Sequence, residues 1–168
     1  MEDSVAIVGY MGSGKTTLGR LLARALDREL VDLDSAIVKR AGMGIPEIFA
    51  RHGESGFRDL EHEALLAALK GGETPGVVAC GGGVVVRPEN RVLLRDVTTV
   101  FLREDTDVLF RRTRGPGRPL RAANREEFES RYEERLSLYR EVADVEVEVD
   151  GRPPSRVTEE VLACLSKR

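Results

Sequence analysis

The sequence predicts an α/β fold in which a parallel sheet of five strands is covered by helices on both faces. Three observations carry the prediction. The chain opens with the apolar run Val5-Ala6-Ile7-Val8, a glycine-rich turn, and then Leu18, Leu21, Leu22, Ala25 and Leu26 at helical spacing. Apolar runs and amphipathic segments alternate from there onward. The run Val77-Val78-Ala79-Cys80 shows no polar alternation, as a strand buried on both faces requires. With 168 residues, no internal repeat and no long linker, 1–168 reads as a single domain.

The turn reads Gly9-Tyr10-Met11-Gly12-Ser13-Gly14-Lys15-Thr16, a Gly-x4-Gly-Lys-Thr pattern between a strand and a helix. That context makes it a phosphate-binding loop. Around Gly12, Ser13 and Gly14 the backbone can curl so that several N–H groups meet one anion, and the helix N-terminus adds its partial positive charge. Lys15 is placed to reach the β- and γ-phosphates, Thr16 to give its hydroxyl to Mg2+, and Thr17 to meet the α-phosphate. The loop predicts a nucleoside triphosphate site.

Composition narrows the partners. Hydrophobic residues make up 41% of the chain and tryptophan is absent, so the core is built from Val, Leu, Ile and Ala. Charged residues make up 33%, nearly balanced at a net charge of −3, which offers no general attraction to nucleic acid or an anionic membrane. Lysine occurs only at Lys15, Lys39, Lys70 and Lys167, so Lys15 stands out in an arginine-rich chain. Cys80 and Cys164 are too few for a disulfide framework or metal site and read as small buried residues. No apolar run approaches the roughly 20 residues of a membrane span, and no apolar leader follows Met1. A cytoplasmic monomer is expected.

Along the chain, Glu29–Asp34 reads as a second strand ending in two carboxylates. Positions two apart on a strand share a face, so Asp32 and Asp34 should project together, beside Lys15 at the carboxyl end of the sheet where ligands bind. One would serve Mg2+, directly or through water, and the other a substrate hydroxyl. Alternatively Asp34 caps a helix Ser35–Arg40. Pro46 fits the first turn of a further helix, and His52–Arg58 reads as a turn feeding a helix Phe57–Leu69. Arg58 would then sit in a first turn, disfavoured by the helix dipole, which points to a bound anion; the plain alternative is a surface contact with Glu61 or His62. His52 and His62 share no ligand spacing and read as surface or packing residues.

Gly81-Gly82-Gly83 at the end of the third strand allows close approach to backbone N–H groups, although a plain loop would also explain it. A helix Pro88–Leu94, a strand Thr98–Leu102 and a helix Asp105–Arg112 follow. The stretch from Arg112 to Arg121 places four arginines among Gly and Pro, a composition that builds no core element and suits a lid over phosphates. The helix Arg125–Arg140 docks through Phe128, Tyr132, Leu136 and Tyr139, Val145–Val149 alternates as an edge strand, and Val157–Leu165 closes the chain after a turn at Asp150–Ser155.

Together these pieces resemble the shikimate kinase family over nearly the whole chain. The resemblance rests on the phosphate loop with Thr17 and Gly19, the Asp32/Asp34 pair, Phe57-Arg58-Asp59-Leu60-Glu61, the glycine triplet, Arg118-Pro119-Leu120, and Arg135-Leu136-Ser137-Leu138-Tyr139 with Ala143. It implies a P-loop NTPase, a nucleoside-monophosphate-kinase-like three-layer α/β/α fold with sheet order 2-3-1-4-5, a substrate-binding region near 33–61 and a lid near 112–124. It further implies ATP-dependent phosphorylation of the 3-hydroxyl of shikimate, a step toward chorismate and aromatic amino acids, with ATP and Mg2+ required. By the same resemblance Asp34 binds the shikimate hydroxyls and acts as base, while Arg58, Gly82 and Arg135 bind substrate. Phe49 and Phe57 wall the ring, Arg118 reaches ATP and the transferring group, and Asp32 aids Mg2+ through water. Arg112, Arg152 and Pro154 match positions around adenine, while the stretch between Arg112 and Arg118 departs from the family pattern in being short and stiffened by Pro116. A related kinase acting on gluconate or a nucleoside monophosphate would share the loop without Asp34, Arg58, Gly82 and Arg135, and an idle nucleotide-binding module would bind ATP without turnover.

Overall fold

β1 (Val5–Val8) is buried along its whole length and lies at the centre of a five-stranded, all-parallel sheet. The computed structural model describes residues 3–70, 72, 74–114 and 124–167. The sheet contains β2 (Leu30–Asp32), β3 (Val77–Ala79), β4 (Thr98–Arg103) and β5 (Val145–Glu148) in the order β2-β3-β1-β4-β5. Val5 aligns with Val77 on one side of β1 and with Thr98 on the other. The order implied by resemblance is the order observed.

Seven helices complete the described chain: α1 (Lys15–Ala25), α2 (Leu33–Ala41), α3 (Ile45–Lys70), α4 (Pro88–Arg95), α5 (Thr106–Arg112), α6 (Arg125–Val142) and α7 (Pro154–Leu165). Successive side chains of β1 serve opposite layers. Ala6 and Val8 join Leu33, Ile37, Leu65, Phe101 and Tyr139 on one face, whereas Val5 and Ile7 join Leu18, Leu22, Val157 and Val161 on the other. Burying a Val, Leu or Ile side chain contributes about 1.5–3 kcal/mol each, so the unbroken apolar β1 fixes the sheet between two helical layers. β5 is the edge strand its alternation predicts: Val145 and Val147 are buried, while Glu146 and Glu148 face outward and pair with Arg103 at 3.1 and 2.8 Å.

Four elements depart from the sequence expectation. The second strand ends at Asp32 rather than Asp34, because the Asp32 side chain accepts the Ser35 N–H at 3.0 Å and starts a helix there. Asp32 is therefore the cap, and Asp34 lies in the first helical turn. The expected turn His52–Arg58 is helical except at Gly53, whose φ of 66° and ψ of −174° kink α3. Arg58 thus follows the kink by more than one turn, and the first-turn argument for it falls away. A 3₁₀ turn at Val84–Val86 continues the glycine triplet, and α7 begins at Pro154, inside the expected turn.

Candidate active site

The carboxyl ends of the central strands open into a cleft of about 580 Å³. Met11, Gly12, Gly14, Lys15, Thr16 and Thr17 line one half, and Asp34, Phe57, Arg58, Glu61, the glycine triplet and Arg135 line the other. Asp32 and Arg112 also face this space.

In the phosphate half, Gly12 and Gly14 hold φ of 83° and 94°, left-handed values that favour glycine, and so curl the loop onto the start of α1. Lys15 is buried, and its ammonium donates to the Tyr10 carbonyl at 2.9 Å and to Ser13 Oγ at 3.4 Å. The Thr16 hydroxyl donates to Asp32 Oδ2 at 2.7 Å, while Asp32 Oδ1 caps α2. This hydroxyl–carboxylate pair is an all-oxygen donor set of the kind Mg2+ prefers. Among the described residues no group of three His, Cys, Asp or Glu could hold a metal, so phosphate and water oxygens would have to complete the shell. Arg112, the last residue of α5, donates to the Gly12 carbonyl at 3.3 Å and lies 3.4 Å from the buried Glu104 carboxylate.

In the acceptor half, Arg58 Nη1 lies 2.6 Å from Glu61 Oε2, and their side chains are only 10% and 1% exposed. The surface contact considered for this pair is in fact a buried one. Burial pushes the Glu61 carboxyl above the ordinary glutamate range, against the pull of Arg58. A Cβ at Gly83 would collide with the Arg58 guanidinium, so glycine there admits that side chain. A Cβ at Gly81 would lie 2.9 Å from Glu61 Oε1 and 3.3 Å from Asp34 Oδ1, so both carboxylates border the triplet. Arg135 is buried, donates to the Gly82 carbonyl at 3.4 Å and, among the described residues, meets no carboxylate within 4.0 Å. Tyr139 also donates its hydroxyl to the Gly82 carbonyl, and burial raises that hydroxyl far above its usual range.

The structure thus gathers Gly12, Gly14, Lys15, Thr16, Thr17, Asp32, Asp34, Phe57, Arg58, Gly82, Arg112 and Arg135 around one cleft. Ser13 belongs to the loop but not to the cleft lining; its side chain is buried and accepts from Lys15. Phe49 does not line the cleft; it packs on Phe57 with ring centroids 4.7 Å apart. Arg152 and Pro154 are also outside the lining, Arg152 pairing with Glu160 and Pro154 opening α7. Arg118 and most of the expected lid lie outside the described residues. Three contributors were assigned no site role from the sequence. Glu61 was visible through its spacing to Arg58 and the motif they share, and nothing local marked Tyr139 as the partner of Gly82 or Glu104 as the partner of Arg112.

A phosphate loop at the first β–α junction, facing carboxylates and buried guanidiniums across a cleft, defines a P-loop small-molecule kinase. The family model for shikimate kinase matches residues 11–166. A shikimate kinase of Marinomonas sp. is 39% identical, with 98% of this chain and 92% of that protein covered. One of Rhodococcus jostii is 38% identical, with 99% of this chain and 100% of that protein covered. A solved shikimate kinase from Acinetobacter baumannii, in complex with shikimate, superposes with a TM-score of 0.90 at 34% identity, covering 99% of this chain and 94% of that one. The chain belongs to the shikimate kinase family.

Proposed function

We infer that the protein transfers the γ-phosphoryl group of ATP to shikimate, giving shikimate 3-phosphate and ADP, a step in aromatic amino acid biosynthesis. The observation that carries the reading is Arg135. It is a buried guanidinium without a carboxylate partner among the described residues, in the same cleft as Arg58 and Lys15. A buried cation of this kind calls for an anion, and shikimate brings one carboxylate on a ring of hydroxyls.

Position in the cleft and the family resemblance support the following residue roles. Arg58 and Arg135 grip the shikimate carboxylate, and the Gly82 backbone and Phe57 fix the ring, with Phe49 supporting Phe57 from behind. Asp34 accepts the proton of the 3-hydroxyl as its oxygen bonds to the γ-phosphorus and the bond to the β–γ bridging oxygen breaks. Lys15 leaves the Tyr10 carbonyl for the β- and γ-phosphates and neutralises their charge. Mg2+, held through Thr16 and with Asp32 behind it, would supply further neutralisation of the phosphate oxygens. Gly12, Ser13, Gly14 and Thr17 bind the phosphates, Arg112, Arg152 and Pro154 surround the adenine, and Arg118 in a lid near 112–124 reaches the transferring group. We further propose that the chain acts as one kinase domain, a monomer in the cytoplasm with neither nucleic acid nor membrane as partner. Its net charge of −3 and the absence of any described helix long and apolar enough to cross a membrane support that reading.

The test is ADP release measured with shikimate, gluconate and AMP as acceptors. Release should depend on shikimate alone. Equal release without shikimate, or release dependent on gluconate or AMP, would overturn the assignment.

A further inference from the structure

Tyr10 stands where the phosphate loop meets α6. It is fully buried, and its ring lies edge-on to Phe128 at 4.8 Å and to Tyr132 at 5.4 Å. Its hydroxyl donates to the Phe128 carbonyl at 3.3 Å. The guanidinium of Arg135 sits over the ring face, 5.6 Å from its centroid. Residues 128, 132 and 135 fall on one face of a helix, so a single loop side chain sets the register of the stripe that ends in Arg135. Its backbone carbonyl meanwhile holds Lys15.

Phosphate binding by this loop uses backbone N–H groups and Lys15, and none of that needs an aromatic side chain at position 10. Packing accounts for an apolar residue there, but not for the cation over its face. Arg135 reaches a Gly82 carbonyl and the Tyr10 ring, and among the described residues no carboxylate lies within 4.0 Å to fix its direction. A ring face attracts a guanidinium through its quadrupole and leaves the N–H groups at the edge of the guanidinium available to a ligand.

We propose that Tyr10 is a positioning residue for acceptor binding: its ring face holds Arg135 in the orientation that receives the substrate carboxylate. The inference rests on the shikimate kinase reading for the identity of that carboxylate. It adds a determinant of acceptor affinity that lies inside the nucleotide loop.

The test keeps the aromatic ring: tyrosine to phenylalanine removes only the hydroxyl donated to the Phe128 carbonyl, and phenylalanine to pentafluorophenylalanine then changes the ring's electronics. Position 10 is filled in turn with tyrosine, phenylalanine and pentafluorophenylalanine, the last reversing the charge distribution of the ring. The KM for shikimate should stay within about twofold for phenylalanine and rise roughly tenfold for the fluorinated ring, while the KM for ATP and the thermal midpoint change little. A shikimate KM that stays flat across the series would show that the ring only fills space and would overturn the proposal. An equal rise in both KM values would overturn it as well, by placing the effect in the loop as a whole. Loss of shikimate-dependent ADP release by the wild-type protein is a separate outcome, and it is the functional assignment that would fall with it.

Discussion

Glu61 Oε2 and Arg58 Nη1 are 2.6 Å apart, one helical turn from each other on α3 and both withdrawn from solvent. Arg58 also reaches Glu54 at 3.5 Å, but that carboxylate is largely exposed and adds little. The Arg58 guanidinium that lines the cleft is therefore held from behind by one buried carboxyl group. Removing one partner of a buried pair typically costs about 3–5 kcal/mol, because the other is left uncompensated.

That pair yields a pH prediction with a definite sign. The folded Glu61 carboxyl titrates above the ordinary value of 4.5, first because of burial and in spite of Arg58. Between those two values the native state holds a proton that the unfolded chain has lost, so stability from this group is present at low pH and fades as pH rises. The thermal midpoint of wild type relative to Glu61→Gln should improve when pH is lowered from about 8 to about 5. A difference that moves the other way would mean that Arg58 outweighs burial.

Gly83 makes the space that Arg58 occupies. Gly83→Ala should push the guanidinium aside and lower kcat/KM for shikimate by roughly 10²-fold, with the KM for ATP nearly unchanged. Steady-state kinetics in both substrates checks this, and an effect confined to ATP would remove Gly83 from the acceptor half.

Asp32 has two duties that a substitution can separate. Asparagine caps helices about as well as aspartate, so Asp32→Asn should leave the thermal midpoint close to wild type. The lost charge beside Thr16 should raise the Mg2+ concentration for half-maximal rate roughly tenfold or more. An unchanged Mg2+ requirement would leave Asp32 with capping alone.

Cys80 faces the cleft yet should be chemically silent. Burial pushes its thiol up to about 12, so only about one molecule in 10⁴ is thiolate near pH 8. Cys164 is less buried and should be carbamidomethylated first by iodoacetamide, as read by peptide mass spectrometry. Equal labelling of both in the native protein would contradict the burial of Cys80.

How much of this was legible in the sequence depends on the range over which each signal acts. The β1 run and the phosphate loop are local patterns, and the structure reproduces both. The sheet order came from resemblance, since alternation of strands and helices leaves their order open. Asp32 and Asp34 do reach the same cleft, but by a cap and a first turn rather than by strand alternation. The segment His52-Gly53-Glu54-Ser55-Gly56 has the composition of a loop, yet it is helical apart from the bend at Gly53, carried between the buried anchors Ile48 and Phe57 on either side. Glu61, Tyr139 and Glu104 gain their roles from neighbours distant in sequence or from burial, and periodicity does not report either.

The bend at Gly53 has a consequence for how this wall of the cleft can change over evolution. A methyl group there would meet nothing within 4 Å, so crowding does not enforce glycine. The constraint lies in the backbone itself, since φ of 66° with ψ of −174° is a region essentially closed to residues bearing a Cβ. Ile45 stands on one arm of the elbow and Arg58 and Glu61 on the other. The angle between the arms is thus inherited as a single codon, and the breadth of the acceptor pocket drifts only through neighbours that leave that codon untouched.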